Sequence, residues 1–128
     1  MIGYKGFDKD FKCRNLQYEV SKIYEIKSNP ILCQKGFHFC KRLIGVDEYY
    51  PFYGWFFGKT LRTSNRYAIV ESLGRYMTDN MGKYVTNKIH IIKELSEDEI
   101  SVIIEEERKA IEKASTLPIS KTNRVILS

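Results

Sequence analysis

Apolar and polar residues alternate repeatedly along this chain, and a period of two marks a strand with one buried face. Gly3 to Phe7 opens the series, and Asp8-Lys9-Asp10 ends that first strand. Leu16 to Val20 and Ile23 to Ile26 alternate on either side of Ser21-Lys22, which predicts a hairpin. Asn29-Pro30 then breaks the chain into a loop. Gly36 permits a turn into Phe37-His38-Phe39-Cys40. On a strand, Phe37 and Phe39 share one side and His38 and Cys40 the other, so the phenylalanines are the expected core face. Asn65 to Leu73 is a further strand, closed by Gly74. Tyr84 to Ile92 alternates except at Asn87, where a bulge would restore the phase.

The period lengthens in two places. Lys41 to Tyr50 carries Leu43, Val46 and Tyr50 at helical spacing and stops at Pro51. Residues 96–114 form the clearest helix. Ser96 and Glu99 make a capping box, acids fill the first turn, and Ile100, Ile103, Ile104, Ile111 and Ala114 form one apolar stripe. Pro118 blocks extension, and Val125-Ile126-Leu127 is expected to dock as an edge strand. Between Pro51 and Thr63 five aromatics crowd residues 51–57, in a loop that either packs over the core or presents a recognition surface. Large aromatics are mostly buried, which favours packing.

These elements predict an α+β fold: a small, mainly antiparallel sheet, a short middle helix and a long C-terminal amphipathic helix. A chain of 128 residues fits one domain. Residues 1–95 would be its core, with helix and tail 96–128 packed on it. No apolar run approaches the ~18 residues of a membrane span. The charged N-terminal stretch lacks a signal peptide's apolar run, so a cytoplasmic location is expected and no membrane partner.

Charge divides the chain. Residues 1–93 hold sixteen Lys/Arg against eight Asp/Glu, and residues 94–114 hold three against eight. A basic body with one acidic segment raises encounter rates with polyanions and acidic proteins, or simply keeps the chain soluble.

Three cysteines, an odd number, argue against a disulfide framework. Cys13, Cys33, His38 and Cys40 comprise a chemically reasonable zinc set, at spacings unlike the usual knuckles. Cysteines buried as small hydrophobes are the favoured alternative. A His38–Cys40 nucleophilic pair lacks an orienting acid. No glycine-rich phosphate loop occurs, and no cofactor is expected under the leading reading. Lys59, Arg62, Arg66 and Arg75 interleave with Tyr49, Tyr50, Tyr53 and Trp55, a mixture that suits a host protein, RNA or single-stranded DNA.

Several short motifs follow one another in a familiar order. They include Gly3-Tyr4-Lys5-Gly6-Phe7, Gln17-Tyr18-Glu19-Val20, Gly36-Phe37-His38-Phe39-Cys40, Tyr49-Tyr50-Pro51 and Thr86-Asn87-Lys88-Ile89. Over roughly residues 3–95 the order resembles an uncharacterised small domain that recurs in bacteriophage and prophage proteins. That family often has glycine where this chain has Asn15 and Ser21. The resemblance implies a phage or mobile-element accessory protein acting in the host cytoplasm. Such a protein would bind a host protein or ribonucleoprotein, for example to inhibit a CRISPR defence. A weaker likeness is to the ADP-ribosyltransferase fold. It implies an NAD site on Tyr4, Lys5, His38 and Glu71, although the Ser-Thr-Ser segment and Glu-x-Glu loop of those enzymes are absent.

Overall fold

The computed structural model describes residues 1–116. In chain order the elements are β1 (Ile2–Phe7), β2 (Lys12–Cys13), β3 (Leu16–Gln17), β4 (Ile23–Glu25), β5 (Phe37–Cys40), α1 (Leu43–Val46), β6 (Tyr53–Phe56), β7 (Lys59–Arg62), β8 (Arg66–Ser72), β9 (Tyr76–Thr78), β10 (Lys83–Thr86), β11 (Lys88–Glu94) and α2 (Glu97–Thr116). Seven strands make one sheet in the order β4-β11-β8-β1-β5-β10-β9, and β2-β3 and β6-β7 are separate hairpins. Every pairing is antiparallel, so the α+β class expected from the sequence holds.

Each face of the sheet buries its own core, because alternate residues point to opposite sides. Phe7, Phe37, Phe39, Val70, Ile89 and Ile91 pack on one face beneath Phe11, Cys13 and Tyr18 from the β2-β3 region. On the other face Cys40 and Tyr67 meet Leu43 and Val46 of α1, Phe52, and Leu95 and Ile100 at the start of α2. The phenylalanines of β5 are core, as their spacing indicates, but Cys40 is buried as well.

Several sequence expectations need correction. Leu16 to Val20 and Ile23 to Ile26 do not pair with each other. Leu16–Gln17 pairs with β2, and Ile23–Glu25 pairs with β11 at the sheet edge. Ser21, at φ +75, turns the chain between them, and Tyr24 and Ile26 pack against the first core. The helix over 41–50 shrinks to four residues, Leu43–Val46. Residues 53–62 form a hairpin rather than a loop. Tyr84 to Ile92 is two strands, divided at Asn87, where the sequence suggests a bulge.

That division shapes the fold. Asn87 alone separates β10 from β11, yet β8, β1 and β5 lie between those two strands in the sheet order. The sheet must therefore curl round so that the chain crosses its corner in one residue. Ser72 Oγ at the end of β8 donates to Thr86 Oγ1 at 2.8 Å, and the Asn87 N–H donates to the Arg75 carbonyl.

Helix α2 begins as expected. The Ser96 N–H donates to Glu99 Oε1 at 3.0 Å, and the Glu99 N–H donates to Ser96 Oγ at 3.2 Å. Of its apolar stripe, Ile100, Ile103 and Ile104 join the second core, whereas Ile111 and Ala114 are exposed. The expected edge strand at 125–127 lies outside the described residues. Glu107 does what no local residue does for α1: its carboxylate accepts from the N–H groups of Leu43 (2.8 Å) and Ile44 (2.9 Å). Helix starts leave such donors unpaired, and α1 has no side-chain cap of its own. No helix among the described residues is long and apolar enough to cross a membrane.

Candidate functional site

Strands β1 and β5 are neighbours that pair at Tyr4↔Cys40 and then part. Lys5 bridges the opening: its Nζ donates to the His38 carbonyl at 2.6 Å, where a continuous ladder would place a backbone N–H. Gly6 lets the wall close in, because a Cβ there would stand 2.7 Å from the Tyr50 ring. Between the strands lies a cavity of about 420 Å³, lined by Lys5, Arg14, His38, Tyr49, Tyr50 and Lys83 among others. A second hollow of about 220 Å³ adjoins it, sharing Lys5, Cys13, Arg14 and His38.

The electrostatics of this cleft are unusual. Lys5 is 3% exposed, its ammonium 5.3 Å from the centre of the Tyr18 ring and 5.9 Å from that of Phe7. Among the described residues no carboxylate pairs with it. Burial draws its pKa below the ordinary lysine value, with Cys13 opposing. His38 Nε2 accepts from the Cys33 N–H at 2.8 Å, so its proton sits on Nδ1, which is buried without a hydrogen-bond partner. Burial, then Arg14, Lys5 and Lys83, push the His38 pKa down to about 4, with the Gly36 backbone working the other way. The imidazole is accordingly neutral near pH 7. Burial pushes the Cys40 thiol up to about 11. Tyr50 OH donates to Cys13 Sγ at 3.3 Å, and Lys83 Nζ donates to Cys33 Sγ at 3.0 Å.

The residues of the zinc set are not brought together in this structure. Cys13, Cys33, His38 and Cys40 are engaged separately or buried, and among the described residues no three His, Cys, Asp or Glu side chains are grouped to hold a metal ion. The backbone at Cys33, with φ +63, presents its N–H to His38 Nε2.

The aromatic-basic set is also divided. Tyr49 and Tyr50 line the cleft. Arg66 makes a two-pronged ion pair with Glu94 at 2.6 and 2.7 Å and covers the Phe11 ring. Arg75 lies beyond β8, beside the Asn87 corner. Only Tyr53, Trp55, Lys59 and Arg62 remain together, on the β6-β7 hairpin.

That hairpin turns through Phe57 (φ +48) and Gly58 (φ +77), a two-residue loop of type I′. Its side chains are bare: Trp55 is 73% exposed and Phe57 fully so. The hairpin's base is fixed. The Tyr67 and Thr63 hydroxyls and the Asn65 amide donate to the Pro51 carbonyl, and Arg62 stacks on Tyr53 and reaches Glu97 at 3.6 Å.

Of the residues tied to NAD by resemblance, Tyr4, Lys5 and His38 meet at the cleft. Glu71 does not. It sits on β8 opposite Ile2 and His90 and lines neither hollow. Glu48, unremarked in the sequence, is the carboxylate on the cavity wall. Arg14 and Lys83 were likewise missed. Asn15, well suited to positive φ, was the available hint that a tight turn carries Arg14 there.

A family model described as Domain of unknown function (DUF7666) matches residues 1–103. The chain belongs to that family. Its matched span ends inside α2, so residues 97–103 of the helix fall within the family's domain and Glu107 lies beyond it. No curated protein and no solved structure matches the chain. Asn15 and Ser21 stand at φ +66 and +75, conformations that suit the glycine the sequence resemblance leads one to expect there.

Proposed function

We propose that this protein acts by binding a partner macromolecule, a host protein or ribonucleoprotein, through the β6-β7 hairpin. The full exposure of Phe57 carries the reading. A phenylalanine in the left-handed region costs about 1–2 kcal/mol of backbone strain, and its bare ring forgoes about 2 kcal/mol of burial. Neither folding nor solubility favours it there, so a contact outside the chain accounts for it. Trp55, Phe56 and Leu61 extend the apolar surface, and Lys59 and Arg62 flank it with positive charge, the usual make-up of an interface anchor with a polar rim. In the phage or mobile-element setting that the sequence order suggests, inhibition of a host defence complex is the form such binding takes.

Affinity capture from host lysate tests this, run with and without nuclease. The wild-type chain should retain a defined partner that Trp55→Ser/Phe57→Ser loses at unchanged thermal stability. Loss of capture in the nuclease arm assigns a ribonucleoprotein. Equal capture by the double variant and the wild type would reject the hairpin as the contact. For the transferase reading, Tyr4, Lys5 and His38 line one cleft while Glu71 lies outside it, and Glu48 is the carboxylate on that wall.

A further inference from the structure

Three cations from distant parts of the chain converge on the cleft between β1 and β5. Lys5 comes from β1, Arg14 from the β2-β3 turn and Lys83 from β10. All three line one cavity together with His38, whose carbonyl accepts from Lys5 Nζ. None pairs with a carboxylate among the described residues, and the Glu48 carboxylate on the wall is bonded to none of them.

A buried lysine without a counter-ion is costly, because removing an ammonium from water requires a compensating charge. The carbonyl of His38 and two aromatic faces compensate Lys5 in part. Arg14 adds a second cost, since it holds φ +52 in a tight turn where asparagine, aspartate or glycine is preferred. Both costs are understood if an anion completes the site.

Tyr4, Tyr49 and Tyr50 line the same cavity, with Lys83 Nζ 4.8 Å from the centre of the Tyr49 ring. At about 420 Å³ it falls within the usual range for a small-molecule site. Three cationic side chains on one cavity suit a multiply charged phosphate, whereas a planar carboxylate is commonly held by one forked arginine. The geometry points to a binding site for a nucleoside phosphate in the β1-β5 cleft, the phosphate held by Lys5, Arg14 and Lys83 and the planar base stacked among the tyrosines.

Calorimetric titration of the full chain at low salt tests this with AMP, GMP, CMP and UMP. Adenosine and inorganic phosphate serve as half-ligands. At least one nucleotide should bind saturably, and each half-ligand should bind at least about tenfold more weakly than that nucleotide. Lys5→Met should lose affinity about tenfold or more while melting no lower than wild type, since an apolar chain of similar length replaces an unpaired charge. Lys83→Gln, on a partly exposed side chain that the core does not need, should lose affinity several-fold. The site is overturned if no nucleotide binds at about 5 mM. It is equally overturned if adenosine alone binds as well as its nucleotide, or if both variants bind as the wild type does.

Discussion

The two small hairpins of this molecule are built alike and used in opposite ways. Both turn through two residues at positive φ, Arg14-Asn15 in one and Phe57-Gly58 in the other. Both place at the first turn position a residue that type I′ geometry does not favour. In the β2-β3 hairpin that residue, though exposed, lines the cleft, and its strand neighbour Cys13 is buried in the core. In the β6-β7 hairpin it stands wholly in solvent, beside strands that bury no side chain fully. Under the two proposals, a costly turn residue marks a contact surface in each case. On those proposals the contact at Arg14 is with a small ligand in the cleft, and the contact at Phe57 is with a partner.

The largest expected effect separates the two. Trp55→Ser/Phe57→Ser should reduce partner capture by more than about tenfold and leave nucleotide titrations unchanged. Arg14→Asn should do the converse, lowering nucleotide affinity about tenfold with capture intact. If either variant moved both readouts, the hairpins would not be functionally separate.

A smaller effect sharpens the inward side. The folded His38 pKa of about 4 lies below the usual 6.5. The unfolded chain therefore binds the extra proton first as pH falls. Stability should be fully present above pH 6.5 and decline through the window down to about 4, by roughly 2 kcal/mol after allowance for solvent screening. Urea titrations across that range measure it. His38→Gln keeps an acceptor near the Cys33 N–H without the titration, and should flatten that part of the profile; an unchanged slope would remove His38 as its source.

The smallest effects concern the turns themselves. Phe57→Asn and Ser21→Gly should each raise stability by about 0.5–1 kcal/mol, by placing in the left-handed region a residue that tolerates it. Denaturant midpoints report this directly. A loss of stability at Phe57 would mean that the ring packs on the fold and is not held out for a partner.

The sequence carried most of the main sheet and little of the hairpins. β5 has clear alternation, β8 a central apolar run, and α2 both halves of a capping box, so their positions follow from local chemistry. Pairing did not. β4 joins β11 rather than its neighbour β3, a choice made by long-range burial of Tyr24 and Ile26 against the first core. The β6-β7 hairpin was hidden because aromatics occupy both faces of β6, erasing the period of two, and because Phe57-Gly58 is not a usual turn pair. The cleft was half legible. Tyr4, Lys5 and His38 sit within recognisable strands, but nothing in the chain links position 5 to positions 14 and 83. Only the folded sheet brings those cations together.

The corner at Asn87 has a consequence for how this chain folds. One residue joins a strand in one half of the sheet to a strand in the other, so neither half can set its register alone. A single inserted residue on either side of Asn87 would turn Val85 outward, or Ile89 and Ile91, and empty one half's share of the core. β1 pairs with β8, and β5 with β10, across long stretches of chain. Neither local pairing nor a single half provides an early stopping point. The domain is expected to fold slowly for its size and in one cooperative step.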